Sequence, residues 1–389
     1  MAKDEKNLKC WVRVRVCVKR VRHTPRPRSV VGSEDQRDVD PDRSAQGVQL
    51  RLFDDFARQT VRFVAPVGMS ASGAPMLAVR WAQALEDDGI PAQALVPSNE
   101  SHPDIEAASR FDDLEAAVSA DGAGLTLLLG LPPSPSLSRR VLEQAQRDPH
   151  LWLLWERPGY DAETLLAGFN DVAPIDRIVT LSEKRQRQVR RLYPEARVRV
   201  LPPAVPPSAF DAYTRRPTTD ETAPFVVAIG RPTKEKGITE LIPRWAMDGG
   251  PSTGLRLLIA SPVPFPEGLV SPWVEVRTVG ALRERLRLLC AAHAAIFPAT
   301  SDHLPQALLE TMAAGTPVVA TAIAGHRDVA IDGRTAIMVP TSLIGLKDAV
   351  RTAAEASKLR QRMRKNAHEL VRSQYSFTAF AARWRSLFS

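Results

Sequence analysis

The stretch Phe297–Ala320, FPATSDHLPQALLETMAAGTPVVA, decides how this chain is read. An apolar strand ends at Phe297, and a polar loop covers Thr300–Leu304. A helix opens at Pro305, and a buried strand resumes at Pro317. Proline suits a first helical turn, because its missing N–H would have had no intrahelical partner. Gly315 supplies the helix stop, after which Val318 and Val319 restore a β pattern. A helix that follows a strand this closely turns its unpaired amides and positive dipole end toward the crevice beyond the strand, a ready place for a phosphate. Two carboxylates punctuate the segment, Asp302 in the loop and Glu310 in the helix, with seven residues between them.

This acidic-x7-acidic arrangement resembles the signature of retaining glycosyltransferases of the family-4 (group 1) type, which have the GT-B architecture. In that family the first acid is usually Glu; Asp302 is one methylene shorter. The resemblance implies that Asp302 and the backbone after it, at His303 and Leu304, hold the hydroxyls of a donor sugar. It also implies that Glu310 takes the ribose hydroxyls of a sugar nucleotide.

A second segment carries the same resemblance. The apolar run Phe225–Ile229 leads directly into Gly230-Arg231-Pro232-Thr233-Lys234-Glu235-Lys236-Gly237. The family shows Gly-Arg at this strand end and Lys-Gly five residues after the Arg, as here. Two fixed cations on one strand-to-helix turn can neutralise the charge that builds on a departing diphosphate. Gly230 permits close backbone approach and Gly237 lets the turn tighten. In TAIAGHRDVAIDG, after the strand at Val318, Gly325 and Asp328 match the family's Gly and acidic positions near the donor. The neighbouring His326 reads as a solvent-exposed loop histidine. The turn Gly280–Arg283 is implied to lie near the nucleobase.

Toward the N-terminus, Thr60–Met69 reads as a strand, followed by the small-residue loop Gly68–Gly73, the helix Ala74–Asp88 and the strand Ile90–Val96. That succession opens a parallel α/β sheet. GMSASG is neither a dinucleotide nor a P-loop fingerprint; by resemblance, Gly68 and Gly73 line the cleft. Leu125–Leu131 is an uninterrupted apolar run, as in a strand covered on both faces. Leu151–Trp155 ends in Glu156, a carboxylate just past a buried parallel strand; W-E-x-P here resembles a subgroup of the same enzymes. The histidine that many relatives carry in this cleft has no counterpart at a strand end between 60 and 200. Arg185, Arg187, Arg190 and Arg191 give the helix after Ser182 a basic, solvated face.

Composition bounds the rest. A chain of 389 residues, 44% hydrophobic and 25% charged, has room for two globular domains. No apolar run is long enough to span a membrane. Cys10, Cys17 and Cys290 form neither metal spacing nor a disulfide framework, which fits a reducing cytoplasm. Residues 1–50 hold 12 Lys/Arg against 7 Asp/Glu, so the net charge of +8 leaves only +3 on the other 339 residues. The body is not a nucleic-acid surface by charge. Cys10–Arg22 alternates apolar and basic residues, and its cationic face raises the expectation of peripheral contact with an anionic membrane. Thr24–Gly47 reads as loosely attached.

The expected fold is α/β of the GT-B kind, two Rossmann-like domains whose parallel sheets face a central cleft. Residues 1–50 form an extension, 60–205 an acceptor-side domain, 206–222 a Pro-rich linker and 223–372 a nucleotide-sugar domain. Residues 373–389 form a helix crossing back to the first domain. The expected function is transfer of a hexose from a nucleoside diphosphate sugar to a glycan, lipid or small-molecule hydroxyl. Arg231, Lys236, Asp302 and Glu156 are the catalytic candidates. Gly68, Gly73, Gly230, His303, Leu304, Glu310 and Gly325 are the donor-binding candidates. No D-x-D metal motif occurs in a strand-to-helix context, and no cofactor is expected beyond the donor substrate. The alternatives are a binding homologue with impaired catalysis, suggested by Asp302 and the missing histidine, and a sugar-nucleotide epimerase of similar shape.

Overall fold

The computed structural model describes residues 60–66, 73–119, 123–132, 134–155, 176–214, 224–265, 271–302, 305–355 and 357–388. The N-terminal extension, Gly68, Glu156, His303, Leu304 and the later part of the Pro-rich stretch lie outside them.

The first sheet has seven parallel strands: β1 (Thr60–Val64), β2 (Ala92–Pro97), β3 (Ser109–Phe111), β4 (Ala123–Leu128), β5 (Leu151–Leu154), β6 (Arg177–Thr180) and β7 (Arg197–Val200). Their spatial order is β3-β2-β1-β4-β5-β6-β7. The second sheet takes β8 (Phe225–Ile229), β9 (Arg256–Ser261), β10 (Val274–Thr278), β11 (Ala295–Phe297), β12 (Val318–Thr321) and β13 (Ile337–Val339), in the order β10-β9-β8-β11-β12-β13. Both orders reverse direction beside their first strand, between β1 and β4 and between β8 and β11. Such a reversal opens a crevice at the strands' carboxyl ends. Among the described residues the α-helices of six residues or more are α1 (Ala74–Glu86), α2 (Leu114–Ser119), α3 (Pro135–Arg147), α4 (Glu183–Leu192), α5 (Pro207–Thr214), α6 (Ile238–Arg244), α7 (Leu282–Ala291), α8 (Gln306–Ala313), α9 (Ala324–Val329), α10 (Leu346–Ala354), α11 (Lys358–Tyr375) and α12 (Phe377–Phe388). None of these helices is long and apolar enough to cross a membrane.

Every residue of β5, β8 and β12 is buried, because helices cover both faces of each parallel sheet. Three elements escape sequence patterning: β3, α2 and β13 are each too short to show a period. Within the Pro-rich stretch a short helix forms that the sequence did not signal. Pro207 starts α5 there, and Tyr213 lies so close to Gly315 that a Cβ on that glycine would fall 2.3 Å from the tyrosine ring.

The last helix closes the first domain. Its aromatic residues recur at helical spacing and enter a cluster of rings: Trp384 meets Phe63 edge-on at 5.5 Å, Phe380 stacks on Trp81 at 5.5 Å and Phe388 meets Trp152 at 5.1 Å. Trp81 is fully buried and its indole N–H donates to the Pro202 carbonyl at 3.1 Å. Trp384→Ala should therefore cost about 3–5 kcal/mol of stability. Arg385→Ala, which removes a partly exposed pair with Asp88 and a hydrogen bond to its carbonyl, should cost less, about 1 kcal/mol. Urea midpoints of the two variants decide the matter, and equal losses would mean that α12 is not an integral part of the core.

Candidate functional site

At the reversal of the second sheet, β8 and β11 pair in parallel and their following loops lie side by side. Three contacts lock the loops together. Gly237, in a left-handed conformation at φ 64°, caps α6; a Cβ there would sit 2.2 Å from the Pro298 carbonyl oxygen. The amides of Thr300 and Ser301 both donate to the Glu235 carbonyl, at 2.8 and 3.3 Å. Lys236 Nζ reaches Asp302 Oδ2 at 2.5 Å, with the two side chains 30% and 14% exposed. The turn and the loop thus present one cation and one carboxylate, already paired, at the mouth of the crevice. Arg231 lies half-buried on the same turn.

α8 begins just beyond, at Gln306, with Pro305 as its cap and no side chain capping its first amides. The Gln306 side-chain Nε2 is buried there without a partner among the described residues. Nothing in the sequence flags that amide, since a glutamine in a first turn is ordinary. Asp302 also borders a crevice of about 240 Å³ whose other lining includes Thr300, Ser301 and Gly325 and, from the first domain, Ser182 and Lys184. Gly230 sits at the root of the turn, and Gly73 precedes α1 across in the first domain.

Glu310 lies elsewhere, in a sealed joint between the domains. Its Oε1 takes Arg80 Nη2 at 3.1 Å and its Oε2 takes Arg285 Nη2 at 3.5 Å; the Arg80 and Glu310 side chains are each 4% exposed. Arg285 Nη2 also donates to Asp104 Oδ2 at 3.2 Å, and its Nη1 to the Gly280 carbonyl. Asp104 in turn accepts the Leu282 amide on both oxygens, at 3.0 and 3.1 Å, and so caps α7 from the opposite domain. Its own amide donates to His102 Nδ1 at 3.1 Å. Two cations and two anions therefore balance. Burial still pushes the Arg80 guanidinium down, opposed by Glu310, and pushes His102 down, opposed by Asp104. Sequence reading found Glu310 alone of this group. Arg80, Asp104 and Arg285 belong to segments distant in the chain, and no local pattern joins them.

His326 corrects a reading from sequence. It is fully buried, not solvent-exposed. As the third residue of α9 it turns inward beneath β12, where Nδ1 lies 2.8 Å from the Thr321 carbonyl oxygen and the ring meets the edge of Phe297. A carbonyl can only accept, so Nδ1 carries the proton and Nε2 keeps a lone pair, which has no partner among the described residues. Burial pushes its pKa down; Asp302 acts to raise it and Lys236 to lower it.

A model of the family described as "Glycosyl transferases group 1" matches residues 273–370, the stretch that contains Asp302, Glu310 and His326. Glycogen synthase of Mycobacterium tuberculosis is 27% identical over 222 residues, 53% of this chain and 52% of that protein. The chain thus spans about half the length of the curated relatives it matches. Among solved structures, sucrose-phosphate synthase from Thermosynechococcus elongatus superposes with a TM-score of 0.62 at 18% identity, over 85% of this chain and 98% of that one. The Anabaena protein HepE in complex with UDP-glucose gives 0.61 at 15% identity, over 85% and 99%. The fold is GT-B. The family match and the glycogen synthase likeness support a glycosyltransferase.

Two measurements test the local geometry. Gly237→Ala combines a disfavoured φ with a clash against Pro298 and should destabilise the second domain by more than about 1 kcal/mol; an unchanged melting temperature would contradict the packing of the two loops. For His326 the folded pKa lies below the unfolded value of about 6.5. The neutral ring then contributes stability that is present above that value and lost as the pH falls through the folded one. Denaturation midpoints of the wild type should accordingly fall more steeply on acidification than those of His326→Gln. Parallel profiles would place the imidazole in water.

Proposed function

We propose that this chain is a retaining glycosyltransferase that moves a hexose from a nucleoside diphosphate sugar to an acceptor hydroxyl. The observation that carries the reading is the Lys236–Asp302 pair, fixed by two interlocked loops at the reversal of the second sheet and beside the start of α8. When the glycosidic bond to a diphosphate breaks, negative charge gathers on the leaving oxygens. Lys236, Arg231 and the first amides of α8 are the groups placed to neutralise it, and preorganised donors of this kind act without reorganising in the transition state. Lys236 turning to the diphosphate frees Asp302 to accept the hydroxyls of the sugar ring, with Gly325 across the crevice. Gly230 keeps the turn open to the diphosphate. His303 and Leu304 would add backbone contacts to the sugar, and Gly68 and Gly73 would line the opposite wall. Glu156 is assigned to the cleft from the first domain, just past β5.

The assignment of Glu310 to the ribose carries a condition. Both of its carboxylate oxygens are engaged, one by a guanidinium of the first domain. Donor entry must therefore separate Arg80 from Glu310, exchanging one charge-assisted contact for hydrogen bonds from the two ribose hydroxyls. HepE is described with UDP-glucose bound, which makes UDP the first nucleotide to try. The engaged state of Glu310 also favours a second reading, a sugar-nucleotide-binding homologue that does not turn over.

Lys236→Met should reduce turnover of a nucleoside diphosphate sugar about 100- to 1,000-fold with the fold intact. Near-native turnover by that variant would sink the assignment of the diphosphate site. In calorimetry with UDP, Glu310→Gln should weaken binding roughly ten- to a hundredfold. Arg80→Met, which removes the competitor for the same carboxylate, should tighten it. If both variants bind UDP as the wild type does, Glu310 is a joint residue only. Binding of UDP-sugars by the wild type without turnover would favour the non-catalytic reading.

A further inference from the structure

A second cavity, of about 540 Å³, lies at the outer edge of the first sheet. Four arginines line it: Arg190 from α4, Arg197 and Arg199 from the edge strand β7, and Arg383 from α12. One carboxylate, Glu183, shares the lining, and it pairs with Arg187 at 3.8 Å. Among the described residues none of the four guanidiniums takes part in an ion pair.

Arg199 is the informative member. Its guanidinium lies beside an edge-on pair of rings, 5.0 Å from the centroid of Trp152 and 4.8 Å from that of Phe388, which are themselves 5.1 Å apart. Cation–π contact with two rings restricts the pose of the guanidinium. Its Nη1 is buried and has no hydrogen-bond partner among the described residues. A buried cationic donor left unpaired is costly, and the loss is normally avoided by pairing. Burial and the nearby Arg197 both push the Arg199 pKa down, so the environment works against the charge it holds. Arg190 is only partly used, donating to the Val198 carbonyl at 3.3 Å. Four like charges around one concavity, whose one carboxylate Glu183 is already paired with Arg187, repel one another.

We propose that this cavity is a binding site for a phosphate group, separate from the cleft and held by Arg190, Arg197, Arg199 and Arg383. The guanidinium fork matches phosphate oxygens in pairs, and a concavity of this volume has room for a head group. The phosphate is a monoester or diester, carried by a free small molecule or by the head group of a lipid. The site does not depend on the glycosyltransferase reading, because none of its residues belongs to the cleft.

The test uses the full chain and the double variant Arg190→Gln/Arg383→Gln. Both positions reach the cavity from helices, and neither is in the aromatic cluster, so the variant keeps the Arg199 stack and the fold. Calorimetry with glycerol 3-phosphate probes the free source. Co-sedimentation with phosphatidylcholine vesicles, with and without phosphatidylglycerol, probes the lipid source. Wild-type binding of either probe, weakened about tenfold or more by the double variant and by added salt, is the expected result. Whichever arm responds identifies the source. Binding of neither probe overturns the proposal, and so does binding that the double variant leaves unchanged.

Discussion

Glu310 is charged in a place from which water is excluded, and the relation between the two domains depends on how that charge is met. A buried carboxylate with one partner removed would cost about 3–5 kcal/mol, more than most single contacts supply. Here Arg80 from α1 and Arg285 from α7 meet it on separate oxygens. Arg285 carries the network on to Asp104, which caps α7 from across the joint. Each domain thus satisfies polar groups that the other leaves open. Apolar packing would hold the domains together about as well, but would not exchange partners. An ion pair can be replaced by another polar group on the same oxygens, so a joint built of charge can be opened by a ligand that offers hydroxyls in return.

The same logic applies at the crevice mouth, with a different degree of burial. Lys236 and Asp302 are partly exposed, so water screens their attraction and either can turn to a new partner at modest cost. Position, more than energy, is what the protein supplies there. Gly237 allows the turn to lie against Pro298, and the shared Glu235 carbonyl sets the loop's height. A cation and a carboxylate at the end of adjacent parallel strands, next to an uncapped helix start, make a polar site that is assembled before any ligand arrives. His326 adds a lone pair behind it, fixed by its bond to the Thr321 carbonyl.

How much of this was legible in the sequence follows from the range of each cause. The central strands of both sheets announce themselves because burial on two faces demands unbroken apolar runs such as FVVAI and LWLL. The Lys236–Asp302 site was legible because each partner lies in a short motif with its own glycines or capping proline. Glu310 was legible as a residue and not as a joint, because its partners Arg80 and Arg285 are ordinary helix arginines until the domains meet. His326 was misread for a related reason. A polar residue after a strand is usually at the surface, and here the Thr321 carbonyl, which also accepts the Ile323 amide, holds this one inward beneath β12. β3, α2 and β13 were missed because three to six residues cannot establish a period.

The basic character of α4 shows the limit of reading charge along one element. From sequence its arginines form a solvated face, and for Arg187 that is what the structure has: a side chain 65% exposed, paired within its own helix to Glu183. Arg190, exposed on the same helix, also reaches the β7 edge and meets two arginines whose alternation in RVRV sends them to the same side of the sheet. A period-two pattern on an edge strand places Arg197 and Arg199 together without fixing what they face. α12 decides that, since its Phe388 covers the stem of the problem by stacking on Arg199, while Arg383 adds the fourth charge. The concentration of charge is thus a property of three elements meeting.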